Sequence, residues 1–336
     1  MSTSPRSSAP VGVVVPAHNA GRFLAETLES VRAQTLTDWR CVVVDDGSTD
    51  DTLAIAEGFA ARDPRFRAIR QVNGGPGAAR NHGTLELGPD VGHMSFMDAD
   101  DVWAPHALET LKSAIDETPG AIGAHGLADW IDERGSPISP GTFTSIGRGR
   151  LGCSGGKHYP WPPDQPTNFE VLVTHNVLFP PGLLLAEASA FRAAGLFTTQ
   201  RHLQGVADWE MFQRLVRFGD LQLVDEVILG YRMHDTNISG SSTMAAQMTS
   251  VRRSCFYSPE NTAEQERLVR DAWRSQQRGD ASQRWREGRR HLKSREFRSA
   301  VVRVSRLPLV GGRYLWGRPR KRLTRTERRA GFPSAG

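Results

Sequence analysis

Four short apolar runs, each ending in a polar cluster and each followed by a helical pattern, fill the first hundred residues. Val11-Gly12-Val13-Val14-Val15 reads as a buried strand stopped by Pro16. Trp39 to Val44, Phe66 to Val72 and Met94 to Met97 are the next three runs. Between them Leu24, Leu28 and Val31 lie at helical spacing in a helix from about Gly21. Leu53, Ile55 and Phe59 mark a second helix, and a third starts near Ala78. Strands alternating with helices require right-handed crossovers and therefore a largely parallel sheet. The spacing predicts an α/β fold, a Rossmann-like sheet flanked by helices. In such sheets ligands sit in the crevice outside the carboxyl ends of the strands.

All four polar clusters fall at that edge: Pro16-Ala17-His18-Asn19, Asp45–Ser48, Asn73–Asn81 and Asp98–Asp101. Any one of them is explained as a turn, but four together favour a ligand crevice. Asp46 can accept hydrogen bonds from a base N–H or a ribose hydroxyl. The glycines of Asn73–Gly77 let backbone approach a ligand, and the helix after them offers N–H groups. Arg80 suits a diphosphate or the acidic cluster. Carboxylates crowded at a strand end repel one another and need a cation. Asp98 and Asp100 present oxygens suited to Mg²⁺ or Mn²⁺, with phosphates as further ligands. The plainer reading is an acidic turn before a helix near Pro105. His18 and His82 read as structural or binding residues rather than bases.

Charge divides the chain. The net charge is +5, yet residues 284–329 carry 17 Lys and Arg against 3 Glu, leaving the remainder about 9 charges negative. In that tail Val301, Val302, Val304, Leu307, Leu309, Val310, Tyr314, Leu315 and Trp316 interleave with Arg303, Arg306 and Arg313. Such a mixture suits an anionic membrane surface; a disordered tail or a nonspecific nucleic-acid patch is the alternative. Pro308, Gly311 and Gly312 oppose a single amphipathic helix. No run of about 18 apolar residues predicts a membrane span, and Met1–Pro10 lacks a signal-peptide core. Cys41, Cys153 and Cys255 share no metal or redox spacing and suggest a reducing compartment. The expected location is cytoplasmic, with peripheral contact at the inner membrane face.

In the second half, Ala121 to Trp130 reads as a strand with Asp129 and Asp132 near its end. Residues 135–167 are rich in Gly, Pro and Ser and read as disordered or as a functional flap, in which Tyr159 and Trp161 could stack on a sugar. Leu183 to Leu185 is a further strand, followed by a helix ending near Gly195. Met211, Leu215 and Phe218 place Asp208 at a helix start, where it either satisfies free N–H groups or serves as a base; Glu210 is the reserve. Leu221 to Gly230 reads as an edge strand leading into Tyr231-Arg232-Met233-His234. Four segments result: a flexible 1–10, two halves of the α/β domain at 11–115 and 116–240, and a basic helical extension at 241–336.

Over residues 11–110 the order and spacing of Val13-Val14-Val15-Pro16-Ala17-His18-Asn19, Val43-Val44-Asp45-Asp46-Gly47-Ser48-Thr49-Asp50, Asn73-Gly74, Gly77-Ala78-Ala79-Arg80-Asn81 and Phe96-Met97-Asp98-Ala99-Asp100-Asp101 resemble family 2 glycosyltransferases of the GT-A fold. His18 stands where that family usually has Tyr. The resemblance implies an inverting transferase, a nucleotide-sugar donor (most often a UDP-sugar), Mn²⁺ or Mg²⁺, and a saccharide or lipid-linked acceptor in cell-surface polysaccharide or glycolipid synthesis. It implies that residues around Pro16 and Asp46 hold the base, Asp98 the ribose or metal, and Asp100 the metal. Asp101 is then a helix-start carboxylate, the reading preferred, or a direct metal contact. Asp208 matches the second member of the acidic pair that supplies the catalytic base; Ala207 replaces the first. His234 completes the metal shell, meets the diphosphate, or is structural. Two rival readings remain: a nucleotide- or sugar-binding module without turnover, and a dinucleotide-dependent oxidoreductase. The second rests on Gly75 and Gly77, but Arg80 replaces the last small residue and the loop follows the third strand, not the first.

Overall fold

The computed structural model describes residues 9–141, 144–235, 237 and 243–293. The polar residues 1–8 and the tail 294–336, with its arginine-interleaved apolar stretch, lie outside the described residues. Contacts divide the chain into two units, Met1–Trp273 and Arg274–Gly336; the sheet and the site belong to the first.

The expected series appears as β1 (Val11–Ala17), α1 (Leu24–Arg32), β2 (Trp39–Asp45), α2 (Thr52–Arg62), β3 (Phe66–Arg70), α3 (Pro76–Leu87) and β4 (His93–Phe96). β3, β2, β1 and β4 lie side by side, all parallel. Val13–Val15 and Val42–Val44 are at most 3% exposed, because helices cover both faces of the sheet. Leu24, Leu28 and Val31 of α1 are fully buried; each such side chain contributes about 1.5–3 kcal/mol. Pro16 does not stop β1. Val14 accepts Met97 N–H toward β4, and Ala17 accepts Asp46 N–H toward β2. Pro16 faces the same side as Val14, past the end of β4, so its missing N–H breaks no rung.

Next come β5 (Val102–Trp103), α4 (Ala107–Glu117), β6 (Ala121–Ile131), α5 (Thr144–Arg148), β7 (Leu151–Ser154), β8 (Lys157–Pro160) and α6 (Phe169–Thr174). They are followed by β9 (Leu184–Glu187), α7 (Ala188–Ala194), α8 (Ala207–Leu215), β10 (Asp220–Arg232), α9 (Met244–Phe256) and α10 (Ala263–Lys293). The sheet order is β3-β2-β1-β4-β9-β6-β10-β5. β9 is antiparallel to β4 and β6, while β10 is parallel to β6. The carboxyl ends of β6 and β10 therefore join those of β1 to β4 at one edge. β10 is not the edge strand expected, because Val102–Trp103 pairs along Leu229 and Gly230. Two residues show no periodicity, so no sequence pattern marks β5.

The segment 135–167 is also more ordered than its composition suggests. β7 and β8 form a hairpin. Arg150, 2% exposed, donates to the carbonyls of Pro162, Pro163 and Gln165 and to the Thr167 hydroxyl at 2.6–3.1 Å. One buried guanidinium thus supplies the donors that an irregular stretch lacks. Trp161 gives its Nε1–H to Pro166 O at 3.1 Å, and the Tyr159 hydroxyl donates to Glu170 at 2.6 Å. The polar tips of both rings considered for sugar stacking are engaged by this segment and by α6. Among the described residues, no helix is long and apolar enough to cross a membrane.

Candidate active site

The strand ends converge as the pattern requires. Asp46 follows β2 and is 3% exposed. Its Oδ1 accepts from Gly74 N–H at 2.8 Å and Gln71 Nε2 at 2.7 Å; its Oδ2 accepts from Gly75 N–H at 2.8 Å. Gln71 in turn meets His82 Nδ1 at 2.9 Å. Asp46 is therefore the anchor of the Asn73–Gly77 loop, with one of its roughly four acceptor positions left for a ligand. His18, exposed, meets Asp46 O at 2.9 Å and the Asn73 side chain at 3.1 Å. Asn19 takes a left-handed φ of 49° and ties this turn to Ser48 and Thr49.

Two of the glycines make room for the protein's own chain. Gly75 has φ +85°, and a Cβ there would meet the Gln204 side chain. A Cβ on Gly77 would lie 2.3 Å from the carbonyl oxygen of Thr198. The loop is narrow because the chain entering α8 passes against it. Arg80, one turn into α3 and 5% exposed, donates to Asp98 Oδ1 at 2.7 Å and lies 5.4 Å over the Phe197 ring.

The three aspartates at the end of β4 take different environments. Burial pushes Asp98 up to about 6; Arg80 opposes this, and Asp100 and Asp208 add to it. Asp100 faces across the edge, its Oδ2 2.9 Å from His234 Nε2. Asp101 is fully buried and accepts the Arg232 N–H at 3.0 Å. Burial and its two acidic neighbours hold its carboxyl well above the ordinary range. Asp101 is not a helix-start carboxylate, because the next helix begins only at Ala107. It is a rivet between β4's end and β10's end.

β10 delivers Arg232 and His234. Arg232, fully buried, donates Nε–H to Asp100 O at 2.8 Å and Nη1 to Asp132 O at 3.1 Å. The His234 ring lies 4.9 Å from Phe23. Asp208 stands in the first turn of α8, where its Oδ1 accepts Trp209 N–H at 2.7 Å. Burial raises its carboxyl, and Arg80 again opposes the rise. Asp208 is thus within electrostatic reach of Arg80 and Asp98. Glu210, the reserve, is paired with Arg214 on its own helix at 2.8 Å and points its charge elsewhere.

Asp98, Asp100, Arg80, His234 and Asp208 therefore come to one edge from four separate stretches of chain. Among the described residues, no group of three or more His, Cys, Asp or Glu side chains is disposed as a complete metal cage. The Asp100–His234 pair offers one oxygen and one nitrogen donor, which fits a dication whose remaining ligands are phosphate and water. Sequence reasoning missed four contributors: Gln71, Asn81, Phe23 and Arg232. Arg232 and Asn81 stood inside stretches singled out for their neighbours, but nothing in a linear pattern indicates a buried partner more than 100 residues away.

Residues 12–151 match the sequence profile of Glycosyl transferase family 2. The chain is 35% identical over 132 residues to the chondroitin synthase of Escherichia coli, covering 39% of this chain and 19% of that protein. It spans 19–40% of the length of the curated relatives it matches. Its fold is similar to that of Staphylococcus aureus TarS 1-349, solved in complex with UDP-GlcNAc. The TM-score is 0.59 at 14% identity, over 89% of this chain and 92% of that one. It is also similar to the mannosyltransferase PcManGT of Pyrobaculum calidifontis, solved with GDP-Man and Mn²⁺. That TM-score is 0.54 at 15% identity, over 94% and 91% of the two chains. These two likenesses establish the GT-A arrangement of the sheet.

Proposed function

Taking the family 2 glycosyltransferase domain at residues 12–151 as premise, we propose that the protein is a metal-dependent, inverting glycosyltransferase. It moves a sugar from a nucleotide-sugar donor, a UDP-sugar, to the hydroxyl of a saccharide or lipid-linked acceptor in cell-surface polysaccharide or glycolipid synthesis. The carrying observation is the meeting of Asp98, Asp100, Arg80 and His234 with the half-buried Asp208 at one sheet edge. Nucleotide-sugar complexes of two proteins with this fold support the donor class.

Residues 11–115 form the donor half, with Pro16–Asn19, Asp46 and Asn73 around the base and Asp98 toward the ribose or metal. Asp100 and His234, with Asp98, would hold Mn²⁺ or Mg²⁺. An ion bound there would supply positive charge against that developing on the leaving diphosphate. Arg80 supplies a second, fixed positive charge beside that position. Residues 116–240 form the acceptor half. Asp208 removes the proton from the acceptor hydroxyl as its oxygen bonds to the anomeric carbon. The sugar–phosphate bond breaks on the opposite face, its electron pair leaving with the diphosphate. Bond breaking runs ahead of bond making, giving the sugar oxocarbenium character. Burial of Asp208 favours this role, because a carboxylate with a raised pKa is a stronger base. The basic stretch 284–329 would hold the enzyme at an anionic membrane surface.

The test is calorimetric titration of UDP with Mn²⁺ and then with EDTA, on the wild type, Asp100→Ala and Asp208→Asn. Metal-dependent binding is expected in the wild type and in Asp208→Asn, and is lost in Asp100→Ala. Transfer from UDP-sugars is abolished in Asp208→Asn. A folded wild type that binds neither UDP nor GDP with Mn²⁺ would rule out the donor site. Binding without turnover on any donor would leave a binding module instead.

A further inference from the structure

The stretch between α7 and α8 carries Asp208 into the site, and it is held at a point the chemistry above does not use. Asn81 lies on α3 directly after Arg80 and is 9% exposed. Its Nδ2 donates to Phe197 O at 3.0 Å, and its Oδ1 accepts Phe197 N–H at 2.8 Å. One side-chain amide thus satisfies both backbone groups of a residue itself 4% exposed. This is the pairing a neighbouring strand would provide. Phe197 then packs edge-on against Phe96, the last residue of β4, at 4.7 Å. The next residue, Thr198, is the one that leaves Gly77 no room for a side chain, and Gln204 does the same at Gly75. Asp208 follows four residues after Gln204.

From this geometry we infer that Asn81 is a positioning residue for the transfer reaction. It touches neither donor nor acceptor, but clamps the 195–206 linker to the donor half. The distance of Asp208 from the donor is thereby set by α3, the helix that also carries Arg80. The inference rests on the assignment of Asp208 as base. Its signature is a loss in turnover without a loss in donor binding. A misplacement of about 1 Å costs on the order of 100-fold in rate, whereas the nucleotide-facing loops, held by Asp46, stay in place.

Asn81→Asp tests it with little change of shape. Oδ1 can still accept from Phe197 N–H, but the second oxygen now faces the Phe197 carbonyl instead of donating to it. Asn81→Ser removes both bonds without repulsion and serves if the aspartate variant does not fold. Three readouts are taken on the full chain: amide hydrogen exchange, calorimetry with UDP and Mn²⁺, and UDP release from UDP-sugars with water as acceptor. The expected result is exchange at least about tenfold faster in peptides covering 196–209, with β1 and β2 unchanged. UDP affinity stays within about threefold, and kcat falls about 100-fold at unchanged donor KM. Unchanged exchange at 196–209, lost UDP affinity in a folded variant, or an unchanged kcat despite faster exchange would each overturn the clamp. Failure of the functional reading looks different: the wild type itself would not bind UDP, or Asp208→Asn would remain active.

Discussion

Removing the guanidinium of Arg80 should cost the protein more stability the higher the pH. Arg80 is buried, bonds Asp98 at 2.7 Å, and opposes the burial-driven rise of both Asp98 and Asp208. In the wild type Asp98 is pushed up to about 6, from about 3.9 in an unfolded chain. The folded state therefore binds this proton more tightly than the unfolded state does. The stability this confers is fully present below about pH 4 and is lost as pH rises through about 6. At ~1.36 kcal/mol per pH unit the loss is about 3 kcal/mol. In Arg80→Met the partner charge is gone and the folded-state value moves higher still. The variant then continues to lose stability above about pH 6, where the wild type has stopped. Over the two units to about pH 8, Asp98 alone adds up to about 2.7 kcal/mol, and Asp208 acts in the same direction. At about pH 5 Asp98 is largely protonated in both proteins, so the variant loses the hydrogen bond to Asp98 and the packing over Phe197 but little charge compensation. Urea unfolding in EDTA at about pH 5 and about pH 8 measures both differences. The gap between wild type and variant should widen by about 2–3 kcal/mol at the higher pH. An equal gap at both, or a larger one at about pH 5, would refute the argument that Arg80 compensates buried carboxylates.

Gly77→Ala should lower the melting temperature, with a loss of about 1–3 kcal/mol, because its Cβ meets the Thr198 backbone rather than a movable side chain. Gly58→Ala in α2, where the nearest atom is the end of Arg62 at 3.8 Å, should instead stabilise by up to about 1 kcal/mol; the two melts side by side check the contrast. Arg150→Met should cost about 3 kcal/mol, since it strands several buried carbonyls. Limited proteolysis should then cut first within 155–167. His234→Ala should weaken UDP binding in Mn²⁺ at least tenfold while leaving residual binding in EDTA unchanged. Equal losses with and without metal would remove His234 from the cation site.

Much of the fold could be read directly. Val13–Val15, Val42–Val44 and Leu24, Leu28 and Val31 behave as their periods require, because burial on a covered parallel sheet is written locally in runs and spacings. The clustering of Asp46, Arg80, Asp98 and Asp100 at one edge follows from the same logic, since parallel strands must end together. Asp208 was identifiable as a helix-start carboxylate, and the tertiary structure decided that its first turn faces Arg80 and Asp98. The contrast among Asp98, Asp100 and Asp101 was not legible. Three neighbouring carboxylates are chemically alike in sequence, and only their partners separate them: Arg80, His234 and the Arg232 backbone. That Gly75 and Gly77 also leave room for Gln204 and Thr198 was equally invisible, since both partners lie more than 100 positions further along the chain. By itself the sequence determined which residue types stand at the crevice, because polarity and period are properties of adjacent positions. The tertiary structure alone decided which of them pair, anchor or remain available, because a hydrogen bond of 2.9 Å between Asp100 and His234, 134 positions apart, depends on packing that no local pattern encodes.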